Sequence, residues 1–436
     1  MTGRRATRVP TAYIRVMRIF LVVVATILSA CTAHAQTSVP YTVVFDSPMT
    51  PAAGAQGLLT VQHVIATAED RWLPLKIGVE RSRPALALGI LYRAGKFVAL
   101  DLPQDHLLLV VAHEVFGHGA RFRELGDGRI RYGFDAPIPY GSGDAFTKFN
   151  GRFPISPLAS LNVSAAGIDA QHSLADAIAE RAVARGRLHY REAWLYFESR
   201  MAAVSYMLSA SPASSEGHDV AEFLETFEQA CVAPCSPLTR NYIQRRSLLA
   251  LADPLLYYSM YGLAVSYIGA GSTTGPMPLI SVGAGVRVMP SLGYALAPHG
   301  GEWTLRMAFK NEQGKDAGER RAERKLTNLT LRVGNTGAAS TWGLSARAAD
   351  VLRVFGLPIG VAADVWRQPE LLSDHTSDAL RLGGGAVATV IVPIPRMLRP
   401  PWTEGIHIVA GYKAQGFVPG EQLSGGAVLR AGLTLR

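Results

Sequence analysis

Beyond its first 35 residues the chain has no uninterrupted run of twenty apolar residues, so an ordinary transmembrane helix is not expected. Charge is also scarce: 18% of residues are charged against 48% hydrophobic. That balance is apolar for a soluble protein. It suits a membrane β-barrel, whose apolar residues are diluted by alternation rather than gathered in helices. Cysteine is nearly absent, with three in 436 residues. Acidic residues are missing from the first 35 positions, which carry five arginines. Setting those five aside from the 43 basic residues leaves 38 against 34 acidic ones, a net charge of +4 in place of +9. No basic tract with interleaved aromatics remains, which argues against nucleic-acid binding.

What stands at the N-terminus is an export signal. Arg15 and Arg18 precede an apolar stretch from Ile19 to Leu28, and Ala33-His34-Ala35 resembles a signal-peptidase site. Met17 is an alternative start. Leu28-Ser29-Ala30-Cys31 also resembles a lipobox, in which Cys31 becomes the lipidated N-terminus. Cleavage after Ala35 is the preferred reading, and both routes deliver the protein to a bacterial-type envelope. In that oxidising compartment Cys231 and Cys235 are expected to form a short-loop disulfide. Three residues separate them, where a redox motif has two.

With 436 residues, two domains are expected: residues 1–35 as signal, 36–275 as a periplasmic metallopeptidase-like domain, and 276–436 as a β-barrel. In the first domain, Lys76–Glu80, Ala85–Arg93 and Phe97–Leu102 read as strands around an Ala94-Gly95-Lys96 turn. A helix follows from about Asp105 to Leu125, closed by Gly126. Residues 132–158 read as a long Gly-, Pro- and aromatic-rich loop that could wall a groove. Helices are expected at 160–186, 188–210 and 217–231. Leu248–Gly271 fits a buried helix, a membrane-dipping helix or an opening barrel strand.

From Ile280 onward the period is two. Ile280, Val282, Ala284, Val286 and Val288 alternate with Ser281, Gly283, Gly285 and Arg287, and Trp303, Leu305, Met307 and Phe309 with Thr304, Arg306, Ala308 and Lys310. The pattern recurs through 423–435 and gives an antiparallel up-and-down barrel of eight or nine strands, so the fold class is α+β. Alternation alone does not say which face is inside. A polar face rich in Gly, Ser, Thr and Arg, and runs near the about 9–11 residues that cross a bilayer, favour outer-membrane lipid as the partner of the apolar face. The chain ends Leu-Arg, however, and its aromatic girdle is thin.

The chemistry lies in His113-Glu114-Val115-Phe116-Gly117-His118. Zinc peptidases carry two histidines on one helix, with a glutamate after the first as general base. Their spacing is His-Glu-x-x-His, which puts positions i and i+4 on one face. Here the histidines are five apart, about 140° around a regular α-helix. They can share a metal only if the helix carries a π-bulge or loosens at Gly117.

The six-residue motif is similar to that of the dipeptidyl peptidase III family of zinc peptidases, and resembles the His-Glu-x-Gly-His helix of site-2-type proteases lengthened by one residue. The resemblance covers about ten residues, and the dipeptidase family's Glu-Glu-Cys-Arg-Ala stretch is absent. It implies a zincin-like domain with His113 and His118 as Zn2+ ligands. Glu114 would then be the base that activates a zinc-bound water against a peptide bond. A third ligand is expected from Ala165–His172, with Asp169 first and His172 next, three apart on one face. Asp176 and Glu180 extend that stripe. His189, His218 and His375 lack evident partners and read as incidental. The alternative function is a non-catalytic outer-membrane barrel with a periplasmic domain used for transport, assembly or structure. A metal-dependent hydrolase of lipid or cell-wall material is a further option.

Overall fold

A computed structural model describes residues 41–435 except 74–81, 127, 142–143, 152–153, 212–216, 231–237, 284, 312–325, 336–339, 396 and 398–402. The expected export signal, the expected strand Lys76–Glu80 and the expected disulfide pair Cys231 and Cys235 lie outside the described residues.

A mixed α+β architecture results, built on one large antiparallel sheet. The chain enters on β1 (Tyr41–Phe45) and continues into helix α1 (Pro51–Trp72), whose first turn is capped by the Thr50 hydroxyl. Residues 83–125 then run without a break. Helix α2 (Arg83–Lys96), a π segment (Phe97–Asp101), α3 (Leu102–Val111), a second π segment (Ala112–His118) and α4 (Gly119–Leu125) follow one another. The strands expected at Ala85–Arg93 and Phe97–Leu102 are therefore helical, as is the turn between them. Ala and Leu dominate that stretch and are strong helix formers, and short apolar runs fit either period.

The expected loop at 132–158 holds most of a hairpin, β2 (Gly128–Phe134) and β3 (Ala145–Gly151), in register from Gly128–Gly151 to Phe134–Ala145. The central helix α5 (Pro157–Arg185) starts on a Ser156 cap with Pro157 in its first turn. It ends at Gly186, whose φ of +69° is the left-handed stop that favours glycine. A short pairing of β4 (Arg187–His189) with β5 (Thr274–Pro276) brackets α6 (Tyr190–Ser209), α7 (Asp219–Ala230), α8 (Arg240–Ser247) and α9 (Pro254–Tyr261). A π segment (Gly262–Gly269) extends α9, so the ambiguous stretch after Leu248 is helical.

The remaining strands are β6 (Ile280–Gly283), β7 (Val286–Ala297), β8 (Gly300–Asn311), β9 (Leu326–Asn335), β10 (Ser340–Val354), β11 (Leu357–Leu371), β12 (Thr376–Pro393), β13 (Thr403–Lys413) and β14 (Gly426–Leu435). Each pairs antiparallel with its sequence neighbour. Among the described residues the sheet has ten strands, β6–β14 and, from the helical half, β1, which pairs with β14 from Tyr41–Leu435 to Phe45–Ala431. Among the described residues the ladder has two ends, β1 and β6, and the expected barrel is an open sheet.

The inner face of the sheet is its polar one. In β9, Arg332 is 1% exposed and its neighbour Leu331 is 40% exposed. Helix α5 packs against β7, β8 and β9. Its Asp176 pairs with Arg306 at 2.9 Å, and its Glu180 pairs with the same guanidinium at 2.5 Å. Ile406, Ile408, Leu429 and Leu433 all point outward. The two halves share cores as well: Leu174, Ile178 and Tyr196 pack with Met289 and Ala308, and Leu161, Phe223 and Phe227 pack with Tyr294, Leu296 and Leu371.

Candidate metal centre

The motif helix is α-helical on both sides of His113–His118 and π-helical through it. In a π turn the hydrogen bonds run i to i+5, so residues five apart return to one face. That is the irregularity the spacing demanded. Gly117 makes it possible to seat this turn on α5: a Cβ there would lie 2.7 Å from Ala166 O and 2.8 Å from Gly167 Cα. Gly167 answers from the other helix. A Cβ on it would lie 2.2 Å from His113 Cε1 and 2.4 Å from His113 Nε2. Two glycines thus let the backbones meet with the imidazole between them.

His113 Nε2 and His118 Nε2 lie 3.1 Å apart. A third atom completes the group: Asp219 Oδ2, at the first residue of α7, is 2.9 Å from His113 Nε2 and 3.1 Å from His118 Nε2. The three atoms form a nearly equilateral triangle. Ligands at about 2.0–2.1 Å from a tetrahedral ion stand about 3.3 Å from one another, so the triangle has the size of one face of such a site. His118 Nδ1 lies 2.8 Å from Val163 O, which directs Nε2 toward the group.

Glu114 is buried beside the histidines. Its carboxylate and the two ring nitrogens fall within 4.8 Å of one another, a His-Glu-His group that could hold a metal ion. The Thr147 hydroxyl, from β3, sits 2.6 Å from Glu114 Oε2 and 3.0 Å from the Glu114 carbonyl. The hairpin bearing Thr147 is pinned to α4. Arg123 Nη1 donates to Tyr132 Oη at 2.6 Å, and the Phe149 ring stacks on Phe122 at 4.9 Å. Tyr206 closes the other side: the Asp219 backbone N–H donates to its hydroxyl at 3.1 Å, and its ring lies 6.0 Å from that of His113. His218 stacks on Tyr206 at 4.2 Å.

Electrostatics follow the geometry. Burial alone would push the His118 pKa down, but the Asp219 carboxylate overrides it and holds it up at about 9. Burial would likewise raise Asp219, yet His118 and His113 keep it well below the usual carboxylate range. The two side chains thus favour their charged forms beside each other.

The two residues expected as third ligand are placed elsewhere. Asp169 accepts the Gly420 N–H at 3.0 Å and faces Arg121 Nη2 at 3.3 Å, and burial pushes its pKa to about 6. His172 is lowered to about 3 by burial and by Arg200. Both sit on α5, but the face that meets the motif carries Val163, Ala166 and Gly167. Asp219 was missed because 101 positions separate it from His118 in the chain. An acid in the first turn of a helix is ordinarily explained by the helix dipole. The only hint in the sequence was the His218-Asp219 pair at a helix start.

Compared with protein-family models, curated proteins and solved structures, the chain matches none of them.

Proposed function

We propose that this protein is an envelope zinc metallopeptidase, with its site among the helices that pack on a sheet whose outer face meets outer-membrane lipid. One observation carries the catalytic part: the triangle of His113 Nε2, His118 Nε2 and Asp219 Oδ2, with Glu114 beside it. In this reading His113, His118 and Asp219 are the three protein ligands, and a site with three ligands keeps a position open for chemistry. Zinc bound there would supply a Lewis acid and lower the pKa of water at the site.

Glu114 is the general base. Thr147 holds its Oε2, which leaves Oε1 to take a proton from the attacking water and return it to the departing amine nitrogen. Tyr206 fixes the start of α7, and so the position of Asp219. The membrane part is supported by burial. Arg306, Asn328, Arg332, Lys413 and Thr434 are buried on the inner face, and Leu331, Ile406, Leu429 and Leu433 are exposed on the outer one. A soluble sheet would reverse that distribution.

A second reading, a non-catalytic outer-membrane protein with a periplasmic domain, draws on the paired Asp176, Glu180 and Arg306, which need no metal. Metal analysis of the purified protein together with Glu114→Gln separates the two. The peptidase reading expects about one zinc per chain, and a Glu114→Gln variant that keeps the metal and loses hydrolysis. A metal-free protein, or a fully active Glu114→Gln variant, rejects it.

A further inference from the structure

Helix α2 is inside out. Past the exposed Arg83 at its first position, its outward side chains are Pro84, Leu86, Leu88, Ile90 and Leu91, continued by Val98 in the π segment. Leu91 is 70% exposed, yet Arg93, two residues on, is 0% exposed. The inward charges are fully engaged. Arg93 Nε donates to Ile268 O at 2.9 Å, and its Nη2 donates to Gly269 O at 3.2 Å. These carbonyls end the π segment Gly262–Gly269, where helical acceptors would otherwise lack donors. Lys96 Nζ reaches Asp101 at 2.6 Å, Glu69 at 2.8 Å and Tyr190 Oη at 3.0 Å. In water, a helix with leucines outside and Arg93 and Lys96 inside inverts the normal distribution.

The partner element has the same character. Tyr257, Met260, Tyr261 and Val265 are exposed on α9 and its π extension. The stretch Arg240–Ala252 with Pro254–Gly269, bent by 58°, together has the length and composition of a broken membrane span.

The place of these helices matters. Beyond β1 the sheet's edge is covered by α1, where Thr60 Oγ1 donates to Thr42 O at 2.9 Å. Before β6 the chain passes back through β5 to Gly262–Gly269, on which α2 rests through Arg93. A cavity of about 510 Å³ lies between Tyr41 of β1 and Thr274 of β5. Helix α1 thus covers one end of the ladder, and the π segment Gly262–Gly269, which carries α2, packs on β5 just before the other.

We infer that the apolar wall of this protein is built from strands and helices together. In it, α2 and α9 with its π extension present Leu88, Leu91, Val98, Tyr257 and Val265 to bilayer acyl chains alongside the outer face of the sheet. The inference rests on the membrane reading of the sheet and extends it to a helical surface. Lipid is the occupant rather than a second copy because the same apolar character continues outside β6, β9, β13 and β14. One partner patch does not cover so many elements, and a surrounding solvent does. The Arg93 and Lys96 contacts then have a purpose: they satisfy helix ends and charges where no water reaches.

The test is fluorescence quenching by brominated acyl chains in phosphatidylcholine vesicles holding the full-length protein. Tryptophan is introduced singly at Leu88, Leu91 and Val265 in the helices, at Leu331 and Leu429 in the strands, and at Arg187 as a polar control. Each increment is read over the parent, which has six tryptophans. The expected result is quenching at the helical sites within about twofold of that at the strand sites, and several-fold above Arg187→Trp. Strand sites quenched with all three helical sites at the level of Arg187→Trp overturns the inference and leaves the lipid-facing sheet intact. No quenching at any site overturns both. Unquenched helical sites that cross-link between chains identify a second copy as the occupant, which also overturns it.

Discussion

Thr147 Oγ1 lies 2.6 Å from Glu114 Oε2, although one residue belongs to a hairpin strand and the other to a π turn. A hydroxyl has one proton, and here it has the carboxylate and the Glu114 carbonyl within reach. The bond fixes the rotamer of the proposed base and leaves one oxygen free. Thr147→Val keeps the shape and removes the donor. We expect a fall in kcat of roughly tenfold, the worth of about one hydrogen bond, with metal content unchanged. Thr147→Ser should restore most of the rate. Equal rates for Val and wild type would show that the hydroxyl does not position Glu114.

Replacing Asp219 should separate it from the residues expected at first. Asp219→Ala is predicted to weaken zinc binding by at least about tenfold, and His113→Ala to do likewise. Asp169→Asn should leave metal content unchanged and lower thermal stability, since Asp169 holds Gly420 and Arg121. Metal analysis and thermal unfolding of the three variants check this. Zinc retained in Asp219→Ala but lost in Asp169→Asn would restore the earlier assignment.

Gly167→Ala tests the close approach of α5 to the motif. A methyl 2.2 Å from His113 Cε1 must displace the ring, because the helix backbone on the other side is fixed. Overpacking of this kind costs about 1–3 kcal/mol. The variant should fold, with reduced thermal stability, and bind metal at least about tenfold more weakly. Unchanged zinc affinity would mean that the imidazole is not the ligand.

The pH dependence has a defined sign. With its folded pKa raised to about 9, His118 contributes stability to the metal-free protein below its ordinary pKa of about 6.5. That contribution is lost as pH rises through about 9. A metal must displace this proton, so zinc affinity should climb by up to about tenfold per pH unit between pH 6.5 and 9, then level off. Competition with a chromophoric chelator measures the slope. A flat profile would place the metal away from His118.

Much of this was legible along the chain. Period-2 alternation located every strand from β8 to β14, because a half-buried strand writes its two faces into successive residues, but it ran Ile280–Val288 together where the chain turns between β6 and β7. The same reading failed at Ala85–Arg93. There an apolar helix is exposed, its outward face carries no polar residue, and the helical period has nothing to contrast with. Asp169 and His172 were chosen by their helical phase alone, and the rotation of α5 turned other residues to the motif.

By itself the sequence determined the two unlike halves, the alternating β half, and a histidine spacing that a regular helix cannot use. Those are local properties, set by side-chain period and backbone geometry. Only the tertiary structure decided that the polar face of the sheet is the inner one, that a tenth strand comes from Tyr41–Phe45, and that the chain closes round Asp219 instead of Asp169. Each of these depends on which surfaces meet across a hundred residues or more. Pairing, helix rotation and the approach of α5 through Gly117 and Gly167 fix that choice, and none of them is written in any short stretch of the chain.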